Sequence, residues 1–176
     1  CDSELNSLQI LESAFEDSSP PIPLYFILSP GADVVSDVDK LAHKVGKVKG
    51  VDYHNISLGQ GQDKVAEEKL ELAHRQGHWV FLNNVHLMPK WLHAMEKKLE
   101  SYGTNPNIHP SFRVFFSSDP SNNIPVNILD RCIKITSDPP SGLRANLKQA
   151  FACFSKETYE ELESRTKGIL LGLIQF

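Results

Sequence analysis

Apolar positions in this chain switch between two repeats, and the switches mark its elements. Leu24-Tyr25-Phe26-Ile27-Leu28 is an unbroken apolar run, the pattern of a strand buried on both faces. Behind it Val38, Leu41, Ala42 and Val45 recur at i, i+3, i+4 and i+7, one face of a helix that Gly46 ends. Ser36 is the expected cap of that helix, with Asp37 in its positive first turn. Tyr53 to Leu58 reads as a second strand. Asp63 is the expected cap of a second helix, striped by Ala66, Leu70 and Ala73 and stopped at Gly77. His78 to Asn84 reads as a third strand. Pro89 suits the first turn of a third helix, striped by Met88, Trp91, Leu92, Met95 and Leu99. Phe112 to Ser117 is a fourth strand, Val126 to Leu129 a short helix and Ile133 to Thr136 a fifth strand.

The flanks are less regular. The first 19 residues are polar and acidic, with a weak helical stripe of Leu8, Leu11 and Phe15, and Ser19-Pro20-Pro21-Ile22-Pro23 punctuates them. Asp138-Pro139-Pro140-Ser141-Gly142 reads as a hinge-like connector, and two further helical segments are expected near Leu143 and Lys156. Five apolar strands separated mostly by helices predict an α/β fold with a parallel, helix-covered sheet.

Composition narrows the function classes. The chain has 176 residues, 40% of them hydrophobic, enough for one cored domain with a small appendage. A net charge of −4 gives no electrostatic ground for a nucleic-acid partner, and Lys47 and Lys49 read as a solvated loop. Cys1, Cys132 and Cys153 are too dispersed for a zinc site or a disulfide framework, which fits a reducing, intracellular setting. No signal peptide is visible, and the apolar stretch Gly168 to Phe176 is too short to span a membrane. The chain starts at Cys and ends on apolar residues, as expected of a piece of a longer protein.

The junction "SPGADVVSD", residues 29–37, joins a strand to a helix, where a phosphate-binding loop belongs. Such a loop needs G-x-x-x-x-G-K-[ST]: backbone N–H groups around the phosphates, a lysine for charge, a hydroxyl for Mg²⁺. Laid from Gly31, the template puts Ser36 at the second glycine, Asp37 at the lysine and Val38 at the hydroxyl, and Asp33 adds a carboxylate. At ~4 Å and an effective dielectric of ~20, each unit-charge interaction is worth about 4 kcal/mol. Exchanging an attraction for a repulsion therefore disfavours triphosphate strongly. At the end of the third strand, where an acidic pair would hold Mg²⁺ and activate water, stand Asn83 and Asn84. A neutral amide is neither a general base nor a strong Mg²⁺ ligand. Two stations of one machine are altered, the pattern of a pseudo-active module.

Other candidates weigh less. Ser117, Ser118 and Asp119 end the fourth strand, where a polar residue would sense a γ-phosphate, although such residues are common at any strand end. Arg131 is expected in a local ion pair, with Asp130 or another surface acid, and Arg144 on the first lid helix. Gly59-Gln60-Gly61 is half of a dinucleotide fingerprint and reads as a turn. His74 and His78 are four apart, but Gly77 interrupts the helix that would align them on a metal. There is no G-x-S-x-G nucleophile elbow.

The blocks "PLYFILSPGADVVSDVDKL", "ISLGQGQ", "GHWVFLNNVHLMPKWL", "FRVFFSSDPSNNIPVNIL" and "IKITSDPPSGLRANL" resemble the sixth AAA+ module of dynein heavy chains, over roughly Pro21 to Phe154. "SPGAD", "LGQGQ" and "GHW" together look more axonemal than cytoplasmic, and more loosely resemble the outer-arm β type. The resemblance implies a three-layer αβα module with a five-stranded parallel sheet of order 5-1-4-3-2. It implies an N-terminal extension at 1–20, a large α/β subdomain at 21–140 and the beginning of a helical small subdomain at 141–176. It implies six modules in one polypeptide, the first of them chiefly hydrolysing ATP to drive movement along microtubules. The sixth would close the ring between the fifth and the first without nucleotide, ATP and Mg²⁺ belonging to other modules. Its partners would be the neighbouring modules, and those of the parent motor microtubules and other dynein chains, with no nucleic acid or membrane. The setting would be the cytoskeleton of a cilium or flagellum, the axoneme. Two alternatives stay open. One is a regulatory module that binds nucleotide without hydrolysis. The other is an unrelated flavodoxin-like protein using Ser29 to Asp33 or the Gly59–Gln62 loop, in which the first strand would lie beside the second and third.

Overall fold

The structure, a computed structural model, describes residues 2–138 and 142–145. Helix α1 (Asp2–Asp17) precedes β1 (Leu24–Leu28), α2 (Val35–Lys44), β2 (Tyr53–Ser57), α3 (Gln62–Gln76) and β3 (Trp79–Asn83). A single 3₁₀ turn, Val85–Leu87, leads into α4 (Pro89–Thr104), followed by β4 (Arg113–Ser118), α5 (Val126–Arg131), β5 (Ile133–Asp138) and β6 (Gly142–Ala145).

The sheet order is β2-β3-β4-β1-β5-β6. The first five strands are all parallel, with Phe26 opposite Ser117 of β4 and Ile135 of β5. This is the expected order, and it removes the flavodoxin-like alternative, because β1 lies between β4 and β5. One expectation fails. Residues 143–145 are not the start of a helix: β6 pairs antiparallel with β5, Leu143 opposite Ser137, and Arg144 lies on this strand rather than on a lid helix. A short apolar stretch behind a Pro-Pro connector has no periodicity to separate strand from helix. Cys1, Cys153, Pro139 to Ser141, the segment near Lys156 and the apolar end with Leu170, Leu171, Leu173 and Ile174 lie outside the described residues.

The unbroken apolar strands are explained by the layers. Successive side chains point to opposite faces, and both faces are covered. Tyr25, Ile27, Val80, Leu82, Val114 and Phe116 meet α3, α4 and α5. Leu24, Phe26, Trp79, Phe81 and Phe115 meet α1 and α2 through Leu11, Ala14, Val38 and Leu41. Trp79 is fully enclosed there, its ring centroid 4.9 Å from Phe115 and 5.0 Å from Phe15 of α1. Arg113 holds the end of α1 in place, donating from Nε to Ser18 Oγ and lying over the Phe15 ring.

Helix ends differ from expectation in detail. Val38, Leu41 and Ala42 are buried, but Val45 is 44% exposed, because the helix stops one residue before it and Gly46 turns left-handed. Asp63 lies inside α3, which follows the left-handed Gly61 and has no side-chain cap. Gly77 ends α3 at φ 81°, and a β-carbon there would lie 2.4 Å from His109 Nδ1, so both backbone and space require glycine. Among the described residues, no helix is long and apolar enough to cross a membrane.

Candidate functional site

The C-terminal ends of the parallel strands form one rim of the sheet, where ligands of open α/β folds bind. At its centre the chain leaves β1. Ser29 N–H donates to Ser137 O of β5 (3.0 Å), Gly31 adopts φ 84°, and Ala32 N–H closes a turn onto Ser29 O (2.9 Å). Helix α2 then starts at Val35, with Val34 as its flanking residue and no side-chain bond from it. Ser36 is therefore not the cap. It lies one residue inside the helix and is exposed. Instead the Asp33 carboxylate accepts the Val35 N–H at 3.0 Å. Aspartate reaches an N–H two residues on without strain, so it takes the first free donor of the helix. Asp37 lies partly exposed in the first turn, and two carboxylates now face the positive helix end. Val38, at the hydroxyl position of the template, is 0% exposed and belongs to the core.

Asn83 and Asn84 are brought to the same rim, with β4 between them and β1, but they bond sideways. Asn83 Nδ2 donates to Asn55 Oδ1 of β2 (2.5 Å), and Asn83 Oδ1 accepts from Ser117 Oγ of β4 (2.9 Å). One amide thus joins three strands. Asn84 is left-handed at φ 60°, which suits asparagine, and its Nδ2 donates to Ser57 Oγ at 3.0 Å. Ser118 is 2% exposed, donates to Asp119 O and meets the Tyr25 hydroxyl at 2.7 Å. Burial pushes the Tyr25 hydroxyl far above the ordinary tyrosine range, so it is a neutral hydrogen-bonding group. His86 accepts the Asp119 N–H (3.3 Å) and lies 3.5 Å from its carboxylate. No three His, Cys, Asp or Glu side chains converge on a metal position among the described residues.

The remaining candidates are placed elsewhere. Gly59, Gln60 and Gly61 form a left-handed turn between β2 and α3. His74 packs on Tyr102, and His78 meets His54 with ring nitrogens 3.0 Å apart, so the two expected-apart histidines do not converge. Arg131 lies 3.8 Å from Glu100. Sequence reasoning missed Asn55, Ser57 and the capping role of Asp33. Polar residues on the same face of two neighbouring parallel strands, Asn55 and Ser57 in β2 and Asn83 in β3, were the available signal.

The family model "Dynein heavy chain region D6 P-loop domain" matches residues 19–136. The chain belongs to the dynein heavy chain family. It is 46% identical over 172 residues to human dynein axonemal heavy chain 9, and 44% identical over 171 residues to the ciliary dynein beta chain of Tripneustes gratilla. Human dynein axonemal heavy chain 17 is 43% identical over 171 residues. Each match covers 93% of this chain and 4% of the relative's own length. The chain thus corresponds to one P-loop module of an axonemal or ciliary dynein heavy chain, with the five-stranded parallel order described above.

Proposed function

We propose that this module is a non-hydrolysing, structural member of the AAA+ ring of an axonemal dynein heavy chain. The single observation that carries the proposal is the Asp33 carboxylate on the Val35 N–H, with Asp37 one turn further. A phosphate would need that donor and would face both charges. Losing the lysine's attraction and gaining a carboxylate's repulsion are each worth about 4 kcal/mol at ~4 Å with an effective dielectric near 20. That is enough to move a micromolar site beyond the millimolar range. The amides of Asn83 and Asn84 are engaged in bonds across the sheet, and they supply neither a base nor a strong cation ligand. The residues present do not fit Mg²⁺ and triphosphate.

On this reading the module carries force rather than fuel. Residues 1–20 extend it, 21–140 together with β6 form its large subdomain, and a helical subdomain is proposed to begin after β6. Its partners are the neighbouring AAA+ modules of the same polypeptide, against which it moves as a rigid body. ATP, Mg²⁺, microtubules and other dynein chains are partners of the whole motor in the axoneme of a cilium or flagellum. Calorimetric titration with Mg·ATP, paired with a phosphate-release assay, tests this. Neither heat of binding nor turnover is expected at millimolar nucleotide; a micromolar Kd or measurable turnover refutes it.

A further inference from the structure

Strand β2 is the outermost strand at one side of the sheet. Its ladder to β3 uses the backbone of alternate residues: Trp79 N–H donates to Asp52 O and Leu58 N–H to Asn83 O, both at 2.9 Å. His54 and Ile56 therefore turn their N–H and C=O groups towards β3, and Tyr53, Asn55 and Ser57 turn theirs outwards. Tyr53 O is met by Gly50 N–H at 2.8 Å in a single bridge. Beyond that bridge, the outward backbone groups of Asn55 and Ser57 have no strand partner among the described residues. Soluble proteins usually blunt such an edge with a proline, a bulge or a charge within the strand. Tyr53-His54-Asn55-Ile56-Ser57 contains none of these.

A groove of about 590 Å³ follows this edge. Ile56 contributes to its lining from β2, Gln62, Val65 and Lys69 from one stripe of α3, and Lys49 from the loop before β2. No carboxylate lines it. Lys69 is partly exposed and makes no ion pair among the described residues; Lys49 is 59% exposed and only 3.6 Å from Asp39. Val48 and Val51, in the turn that feeds β2, are 56% and 65% exposed, and Val65 is exposed on the groove itself. Lys49, Lys69, Val65 and the outward main-chain groups of β2 thus line one groove, and Val48 and Val51 are exposed in the turn that leads into β2.

We propose that the outer edge of β2 docks an extended acidic segment of a partner protein, which adds a strand to the sheet. Main-chain bonds to Asn55 and Ser57 supply the pairing. Alternate side chains of the segment place carboxylates near Lys49 and Lys69 and apolar groups over Val65 and Ile56. A helix would present no free main-chain groups to this edge, and a nucleic acid would match the charge without the ladder. The proposal is independent of the nucleotide question, because the groove follows the sheet edge and uses none of Asp33, Asp37, Asn83 or Asn84.

The test uses the whole chain and a fluorescent peptide of alternating Glu and Val residues. Its counterparts are a Lys/Val peptide, the Glu/Val peptide N-methylated at alternate residues, and an oligothymidylate of equal charge. The Glu/Val peptide is expected to bind and to slow hydrogen exchange at the Asn55 and Ser57 amides. Lys49→Glu with Lys69→Glu is expected to weaken binding about tenfold while leaving the far-ultraviolet circular dichroism unchanged. The three counterparts are expected not to compete. Absence of binding, undiminished binding by the Lys/Val or N-methylated peptide, equal binding of the oligothymidylate, or unchanged exchange at Asn55 and Ser57 would each overturn the proposal.

Discussion

The loop after β1 and the exits of β3 and β4 lie side by side on the same rim, and they are filled by opposite means. In the loop a charged group, Asp33, caps a helix end that faces solvent. At the strand exits neutral groups satisfy one another: Asn55 to Asn83 to Ser117, with Ser117 only 1% exposed. The first arrangement is local, spanning two residues of one loop. The second couples β2, β3 and β4. A buried polar group left unpaired costs more than a lost surface cap, so the two halves of the rim should respond differently to mutation.

The largest effect is expected at the strand exits. Asn83→Ala removes both bonds of the amide and leaves Ser117 Oγ without its acceptor. It is expected to lower stability by about 2 kcal/mol in urea denaturation, with little change in m. A double-mutant cycle with Asn55→Ala should return a coupling of roughly 1 kcal/mol. Near-additive losses would show that the three strands are not stitched together there. In the loop, Asp33→Ala should cost less, about 1 kcal/mol, as for a lost helix cap. If the loop variant proved the more damaging of the two, the contrast between local and coupled filling would fail.

Acid sharpens the contrast from another side, because the Asn–Asn–Ser chain has no group that ionises. His54 and His78 sit at the opposite end of the same two strands, beside Lys47, Lys69, Asp52 and His109. Burial first, and then neighbouring cations, hold the His54 imidazole below the usual 6.5; burial does the same for His78, partly offset by Asp52. The unfolded chain therefore binds more protons than the folded one as pH drops through that region. The stabilising contribution is complete above 6.5 and is lost as pH falls towards the folded-state values. Denaturation across this range should show stability falling with acid in the unaltered protein and a flatter profile in His54→Gln. An unchanged slope in that variant would separate the histidine pair from the acid response. The smallest effect is expected for Ser57→Ala, which removes the exposed Asn84 bond and should shift stability by less than about 0.5 kcal/mol.

Much of this architecture was legible in the residues. Leu24 to Leu28 and Val80 to Leu82 are apolar throughout because both faces of a parallel strand are covered, and that pattern needs no structure to read. The identities of Asp37 and Val38 were readable against the phosphate-loop template, and those of Asn83 and Asn84 against the acidic pair expected at the end of the third strand. Their neighbours were not. Asn55 and Asn83 are 28 positions apart, and only the pairing of β2 with β3, which sets Asn83 level with Ser57, brings the two amides within diagonal reach. The change of cap from Ser36 to Asp33 was hidden because the helix begins one residue earlier than its first polar candidate, and local capping residues compete over such short distances. Strand β6 was misread as helix because four residues after a proline pair carry no period to decide between them.

The central claim is that the start of α2 is closed to triphosphate by its own carboxylates. Backbone amide resonances of Gly31 to Val38, followed during titration with millimolar Mg·ATP, test it most directly. The account predicts that the Val35 amide and its neighbours stay where they are throughout. Saturating shifts confined to those amides, with a midpoint in the micromolar range, would contradict it.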